Sequence, residues 1–151
     1  MLPEGTLVVL VEDNPDDRFL FERAWRGAGI KNPLRMLEDG QKALDYLFGT
    51  GEFADRAQHP LPGLILLDIK MPGLSGLDVL ERLRGDGTFR SLPVAIMTAS
   101  RSPDDIAEAY RLGTNAFFIK PSSVQELIDL LTAIKACWLR FNEFPKLQPL
   151  R

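Results

Sequence analysis

Five short aliphatic runs, each followed by a longer stretch with helical spacing, constrain this chain more than any other feature. The first, Thr6-Leu7-Val8-Val9-Leu10-Val11, has no alternation of polar and apolar positions. A strand with one wet face alternates, whereas a strand covered on both faces does not. The remaining runs are Pro33 to Leu37, Leu64-Ile65-Leu66-Leu67, Leu92 to Met97 and Ala116 to Ile119. Strands separated by helices pair in parallel through right-handed crossovers. The pattern therefore predicts an α/β protein with a doubly wound five-stranded parallel sheet and helices on both faces. A chain of 151 residues suits one such domain.

The helices carry their own start and stop signals. Asn14-Pro15 supplies an N-cap and a proline at the first helical position, and Gly29 ends a helix that reaches about Ala28. Asp39-Gly40 turns the chain into a second helix. Ser75 with Asp78, and Ser123 with Glu126, have capping-box spacing. Ser102-Pro103 opens a helix that runs to Leu112-Gly113. Expected inward positions are Phe19, Leu20, Ala24 and Trp25 on the first helix, and Ala43, Leu44, Leu47 and Phe48 on the second. On the last helix they are Leu127, Leu131, Ile134 and Trp138. Gly49 to Pro62 reads as a loop. After about Asn142, Pro145 should break the helix, giving a domain over 1–142 and a tail over 143–151.

Composition narrows the function classes. Apolar residues make up 45% and charged residues 26%, with 18 basic and 21 acidic side chains and a net charge of -3. That balance lacks the basic footprint of a nucleic-acid binder. No apolar run reaches the roughly 18 residues needed to cross a bilayer, and Met1 to Thr6 lacks the features of a signal peptide, so the expectation is a cytoplasmic protein. The one cysteine, Cys137, is expected as a small packing residue, and the one histidine, His59, as an exposed loop residue.

In an open parallel sheet, ligands bind beyond the carboxyl ends of the strands. Here the first strand ends in Glu12-Asp13, the third in Asp68, the fourth in Thr98 and the fifth in Lys120. One such residue means little, because a strand-end acid often caps a helix. Asn14 already fills that role, and four strands each deliver a functional group to one rim. Several carboxylates brought together repel unless a cation joins them, and carboxylates with waters suit Mg²⁺ or Mn²⁺. A carboxylate can also attack a phosphoryl group and form an acyl phosphate. Asp68 is the best nucleophile because it ends the central strand. Lys120 would neutralise phosphoryl charge and Thr98 would hydrogen-bond one oxygen. Gly73 and Gly76 let the following loop fold tightly around the nucleophile.

The segments Val11-Glu12-Asp13-Asn14, Leu66-Leu67-Asp68-Ile69-Lys70-Met71-Pro72-Gly73, Met97-Thr98-Ala99-Ser100 and Ile119-Lys120-Pro121 resemble the receiver domains of bacterial response regulators. The resemblance covers nearly the whole chain. It implies a CheY-like fold with the flavodoxin-like strand order 2-1-3-4-5. It also implies transfer of phosphate from a sensor histidine kinase to Asp68, with metal ligation by Asp13, Asp68 and the Lys70 backbone carbonyl directly and by Glu12 through water. Thr98 and Lys120 would grip the phosphoryl group, and a cis Lys120-Pro121 bond would aim the lysine inward. Thr98 and Phe117 would form the switch, with Phe117 standing where the family commonly has tyrosine and so moving by packing alone. Lys70 and Ser100 occupy positions that tune hydrolysis in this family. Neither offers a carboxylate or amide to orient water, so slow self-dephosphorylation is expected.

More narrowly, Asn32-Pro33, Asp39-Gly40, the insert Gly51 to Arg56 and the helix end Cys137-Trp138-Leu139 are similar to small response regulators that partner bacterial phytochromes. That resemblance implies a red-light kinase as partner. About ten residues follow the last helix, leaving no room for a DNA-binding domain, so output is expected through protein contact or as a phosphate sink. Trp138, Leu139, Phe141, Phe144 and Leu147 suggest an interface, and the expected assembly is a homodimer through helix 4, strand 5, helix 5 and the tail. Three other readings compete, of which a nucleotide-binding module is the weakest, because Glu12-Asp13-Asn14-Pro15 and not a glycine-rich phosphate cradle follows the first strand. An aspartate-nucleophile phosphatase of the haloacid-dehalogenase type needs a second aspartate where Lys70 stands. A phosphorylation-independent adaptor would have no use for the full set of Glu12, Asp13, Asp68, Thr98 and Lys120.

Overall fold

The computed structural model describes residues 5–147. Five parallel strands, β1 (Val8–Val11), β2 (Leu34–Leu37), β3 (Leu64–Leu67), β4 (Val94–Thr98) and β5 (Ala116–Ile119), pair in the order β2-β1-β3-β4-β5. Five helices alternate with them: α1 (Pro15–Gly27), α2 (Gly40–Phe48), α3 (Gly76–Arg84), α4 (Pro103–Arg111) and α5 (Val124–Ile134). The doubly wound sheet and its expected order are both present.

Each central strand feeds two cores. Val9, Val11, Ile65, Leu67, Val94 and Ile96 pack on the α2, α3 and α4 side. Val8, Leu10, Leu64, Leu66, Ala95 and Met97 pack under α1 and α5. Successive side chains point to opposite faces of a strand, so a strand that serves two cores is apolar throughout. The register then sets the functional rim. Val11 pairs with Leu67, Leu67 with Ile96, and Thr98 with Ile119. The carboxyl ends of β1, β3, β4 and β5 are therefore side by side.

The caps form as the sequence implies. The Asn14 side chain accepts from the Asp16 and Asp17 amides, and Ser75 and Asp78 form a reciprocal capping box. The Ser123 hydroxyl accepts from the Glu126 amide. Asp39 is an N-cap, accepting from the Lys42 amide at 2.7 Å, and Gly40 is already helical.

Several expectations need correction. On α1 the buried stripe is Phe21, Ala24 and Trp25, whereas Phe19 (66% exposed) and Leu20 face outward. Phe21, Ala24 and Trp25 share the i, i+3, i+4 spacing of one helical face; Leu20, four residues before Ala24, sits at its edge, and Phe19 falls off it. On α2, Tyr46 is buried and Phe48 only half-buried.

At the end of α5 the backbone widens into a π-helical segment, Lys135–Phe141. One extra residue per turn moves the inward position after Ile134 to Leu139, which is buried, and leaves the expected Trp138 half-buried. Cys137 is exposed rather than packed, because it lies outside that face. The chain leaves the helix at Asn142, as the later proline requires. Phe144 then packs near Trp138, with ring centroids 6.3 Å apart, and Leu147 lies against the α2–α4 core. The tail from Gln148 onward lies outside the described residues.

The segment from Gly49 to Pro62 is a loop with a packed interior. It contains one 3₁₀ turn, Gly51–Phe53, and buries Phe53. The Arg56 guanidinium donates to the Tyr46 and Leu47 carbonyls at the end of α2. His59 is half-buried, its ring 5.2 Å from that of Phe53 and 5.8 Å from that of Tyr46, and is not the exposed residue expected. Among the described residues, no helix is long and apolar enough to cross a membrane.

Candidate functional site at the carboxyl rim of the sheet

Glu12 and Asp13 follow β1, Asp68 follows β3, Thr98 closes β4 and Lys120 follows β5. All five expected side-chain donors lie at the same rim. Glu12, Asp13 and Asp68 each bring a carboxylate oxygen within 4.8 Å of the other two. Lys120 reaches over them: its Nζ donates to Glu12 Oε2 at 3.0 Å, Asp17 Oδ2 at 3.2 Å and Asp68 Oδ2 at 3.3 Å. Three hard anionic oxygens so close fit a divalent cation, and the single lysine only partly balances them.

The loop around Asp68 is tight. Asp68 Oδ1 accepts from its neighbour's amide, Ile69 N, at 2.7 Å. Gly76 N donates to the Ile69 carbonyl at 2.9 Å, folding the chain back. A Cβ on Gly76 would lie 1.9 Å from the Asp68 carbonyl oxygen, so no other residue fits without displacing the nucleophile's backbone. Gly73 has φ +74°, in the left-handed region that favours glycine. On the other wall, Arg18 donates to the carbonyls of Glu12 and Asp13 at 2.8 and 2.9 Å and pins the end of β1.

Electrostatics separate the two buried carboxyls. Burial, reinforced by the adjacent Asp68, pushes the Glu12 carboxyl up to about 7. Burial acts the same way on Asp68, but the Glu12 hydrogen bond, the Lys120 charge and the Thr98 hydroxyl outweigh it and hold Asp68 below the usual range. The protein thus favours a charged Asp68 beside a Glu12 that readily holds a proton. Burial opposes the Lys120 charge, yet Asp68, Glu12 and Asp17 raise its ammonium above the ordinary lysine range. Asp68 is therefore an ionised carboxylate with a cation beside it, which is the condition for nucleophilic attack on an electrophilic phosphorus.

Two details differ from expectation. The Lys120-Pro121 peptide is trans, not cis; the four-carbon lysine stem reaches Glu12, Asp17 and Asp68 from that linkage. Asp17 is a further partner of Lys120 that lies at no strand end, because it sits on the first turn of α1. Its signal was the Asp16-Asp17 pair directly after the cap. The Lys70 side chain turns away from the pocket to α4, where Nζ lies 3.5 Å from Asp105 Oδ2. Phe117 lies on β5, half-buried against the α2–α4 core.

Comparison with known proteins agrees with this geometry. Residues 8–132 match the response regulator receiver domain family. Over 139 residues the chain is 34% identical to the probable methanogenesis regulatory protein FilR2 of Methanothrix harundinacea, covering 92% of this chain and 87% of FilR2. It is 30% identical to the response regulator Rcp1 of Synechocystis, covering 92% of each.

Among solved structures, the Mn²⁺-bound form of Rcp1 superposes with a TM-score of 0.83 at 29% identity, covering 93% of this chain and 99% of that one. The phosphorylated cyanobacterial phytochrome response regulator RcpA gives a TM-score of 0.86 at 30% identity, over 94% and 99% of the two chains. RPA3017, a response regulator in red light signaling of R. palustris, gives 0.89 at 34% identity, over 93% and 99%. The acidic rim, the strand order that builds it and a match along most of the chain lead to one conclusion: this protein belongs to the response regulator receiver domain family and is a receiver of two-component phosphorelay signalling.

Proposed function

We propose that the protein accepts a phosphoryl group on the Asp68 carboxylate from a phosphohistidine of a sensor histidine kinase. An Asp68 oxygen attacks phosphorus, a P–O bond forms, the P–N bond breaks, and the histidine departs with the electron pair. Glu12, Asp13, Asp68 and the Lys70 carbonyl would hold Mg²⁺ or Mn²⁺, which supplies charge neutralisation on the phosphoryl oxygens. Lys120 exchanges its carboxylate partners for a phosphoryl oxygen, and the Thr98 hydroxyl donates to another. Phe117 follows Thr98 by packing. The convergence of Glu12, Asp13 and Lys120 on Asp68 carries this reading.

The likeness to RcpA and RPA3017 supports a bacterial phytochrome as the kinase, acting in the cytoplasm. The exposed Phe19 and Leu20 on α1, next to the acidic rim, support docking of the phosphoryl donor on that helix. The receiver spans residues 1–142, and residues 143–151 form a tail. Signalling proceeds through protein contact or by draining phosphate from the kinase, and the acyl phosphate decays slowly because neither Lys70 nor Ser100 orients water.

The half-exposed edge strand β5, with Tyr110 on α4 and Phe141 (71% exposed) at the end of the π-helical segment, supports a homodimer through α4, β5 and α5. Beryllofluoride with Mg²⁺ tests the central step: it should bind the wild-type protein and change its spectrum, and should leave the Asp68→Asn variant unchanged. Binding by that variant would refute the assignment.

A further inference from the structure

The Lys70–Asp105 pair joins the loop after Asp68 to the first turn of α4. The same Asp105 oxygen, Oδ2, accepts from Ser100 Oγ at 2.5 Å and lies 3.5 Å from Lys70 Nζ. Ser100 is tied to the rim as well, since its amide donates to Thr98 Oγ1 at 3.3 Å. The Ser102 amide donates to Ser100 Oγ at 3.3 Å, and the Asp105 amide to Ser102 Oγ at 3.4 Å. A continuous path thus runs from Thr98 through Ser100 to Asp105 and then back to Lys70, two residues past Asp68.

We propose that Asp105 is a positioning residue that withholds Lys70 from the phosphoryl pocket in the resting protein and yields it when a phosphoryl group arrives on Asp68. This rests on Asp68 being the phosphoacceptor. Without phosphate, Lys120 already serves the acidic rim and Lys70 pairs with Asp105. A phosphoryl group adds an anion of higher charge on the residue two positions before Lys70, and Lys70 changes partner. Asp105 loses only that contact, since Ser100 still satisfies its oxygen. The link from the Asp68 loop to α4 is thereby cut, and α4 registers the phosphoryl state. Lys70 is 71% exposed, so water screens the pair and its control over binding is about two- to fivefold rather than all-or-none.

The test is the affinity for beryllofluoride with Mg²⁺, read by fluorine NMR, in the wild-type protein, Asp105→Asn, Lys70→Met and the double variant. Asparagine keeps an oxygen for Ser100, and the cap of α4, Ser102 Oγ accepting from the residue-105 backbone amide, does not involve the replaced group. Asp105→Asn should tighten binding about two- to fivefold, Lys70→Met should weaken it, and Asp105→Asn should have no effect once Lys70 is gone. An equal effect of Asp105→Asn with and without Lys70 would mean that Asp105 acts through Ser100 alone, and would overturn the proposal. So would an unchanged or weakened affinity in the single variant. Failure of the wild-type protein to bind would instead remove the phosphoacceptor reading, and this proposal with it.

Discussion

Glu12 and Asp68 cannot both ionise cheaply in one buried pocket, and that competition sets the pH behaviour of the site. Folding raises the Glu12 carboxyl to about 7, so between the ordinary carboxylate range and that value the folded protein holds a proton that the unfolded chain releases. Without metal, this group makes stability fall as pH rises through that window. A divalent cation needs Glu12 ionised, so its binding should strengthen as pH rises toward about 7, level off above it and release protons. Calorimetry in buffers of different ionisation enthalpy measures this; pH-independent affinity across the window would contradict it.

At Gly76, an added methyl group meets the Asp68 carbonyl at 1.9 Å. Gly76→Ala should destabilise the fold by about 2 kcal/mol or more in urea titration and weaken metal binding with it. Glu12, Asp13, Asp68, Thr98 and Lys120 were legible because strand ends in a parallel sheet converge by topology. Asp17 and Asp105 were not, since a helical acid shows its partner only when the helix is docked. The trans peptide before Pro121 was misjudged for a related reason: a long flexible side chain does not need one backbone isomer to reach its target.

Element by element, the strands were the easiest to read, since two-sided burial leaves only apolar residues. β3 and β5 begin and end at the residues marked by their sequence runs. β1 and β4 begin later than their apolar runs, at Val8 and Val94, although Leu7 and Leu92 are buried as well. Helix faces were read less well. A shift of a few residues turned α1, and the π-helical segment after α5 broke the period that pointed to Trp138. No residue in that segment signals a π turn, since none is a breaker. The consequence is measurable: Leu139→Ala should cost about 2–4 kcal/mol of stability, as for a buried leucine, and Trp138→Ala clearly less than a buried tryptophan would. A loss at Leu139 well below that of a buried leucine, or a loss at Trp138 as large as that of a buried tryptophan, would contradict the widened helix in urea denaturation.

For the molecule as a whole, the topology followed from connection rules and the rim followed from the topology. The assembly did not, because whether an aromatic tail covers its own core or a partner depends on packing. Phe144 and Leu147 fold back onto their own chain, leaving Phe141, at the end of the π-helical segment, as the exposed aromatic beside the tail. Phe141→Glu should therefore lower the population of the proposed dimer in light scattering while leaving the melting temperature of the fold nearly unchanged; an unaltered mass distribution would remove this residue from the proposed interface.

Phosphoryl acceptance on Asp68 is the step that the gathered carboxylates are proposed to support. Its most direct test is intact-mass spectrometry after incubation with a phosphorylated histidine kinase and Mg²⁺. The expected result is a single phosphoryl adduct, lost on chelation of the metal and absent from Asp68→Asn. An adduct of equal yield in that variant, or none in the wild-type protein with an active kinase, would contradict it.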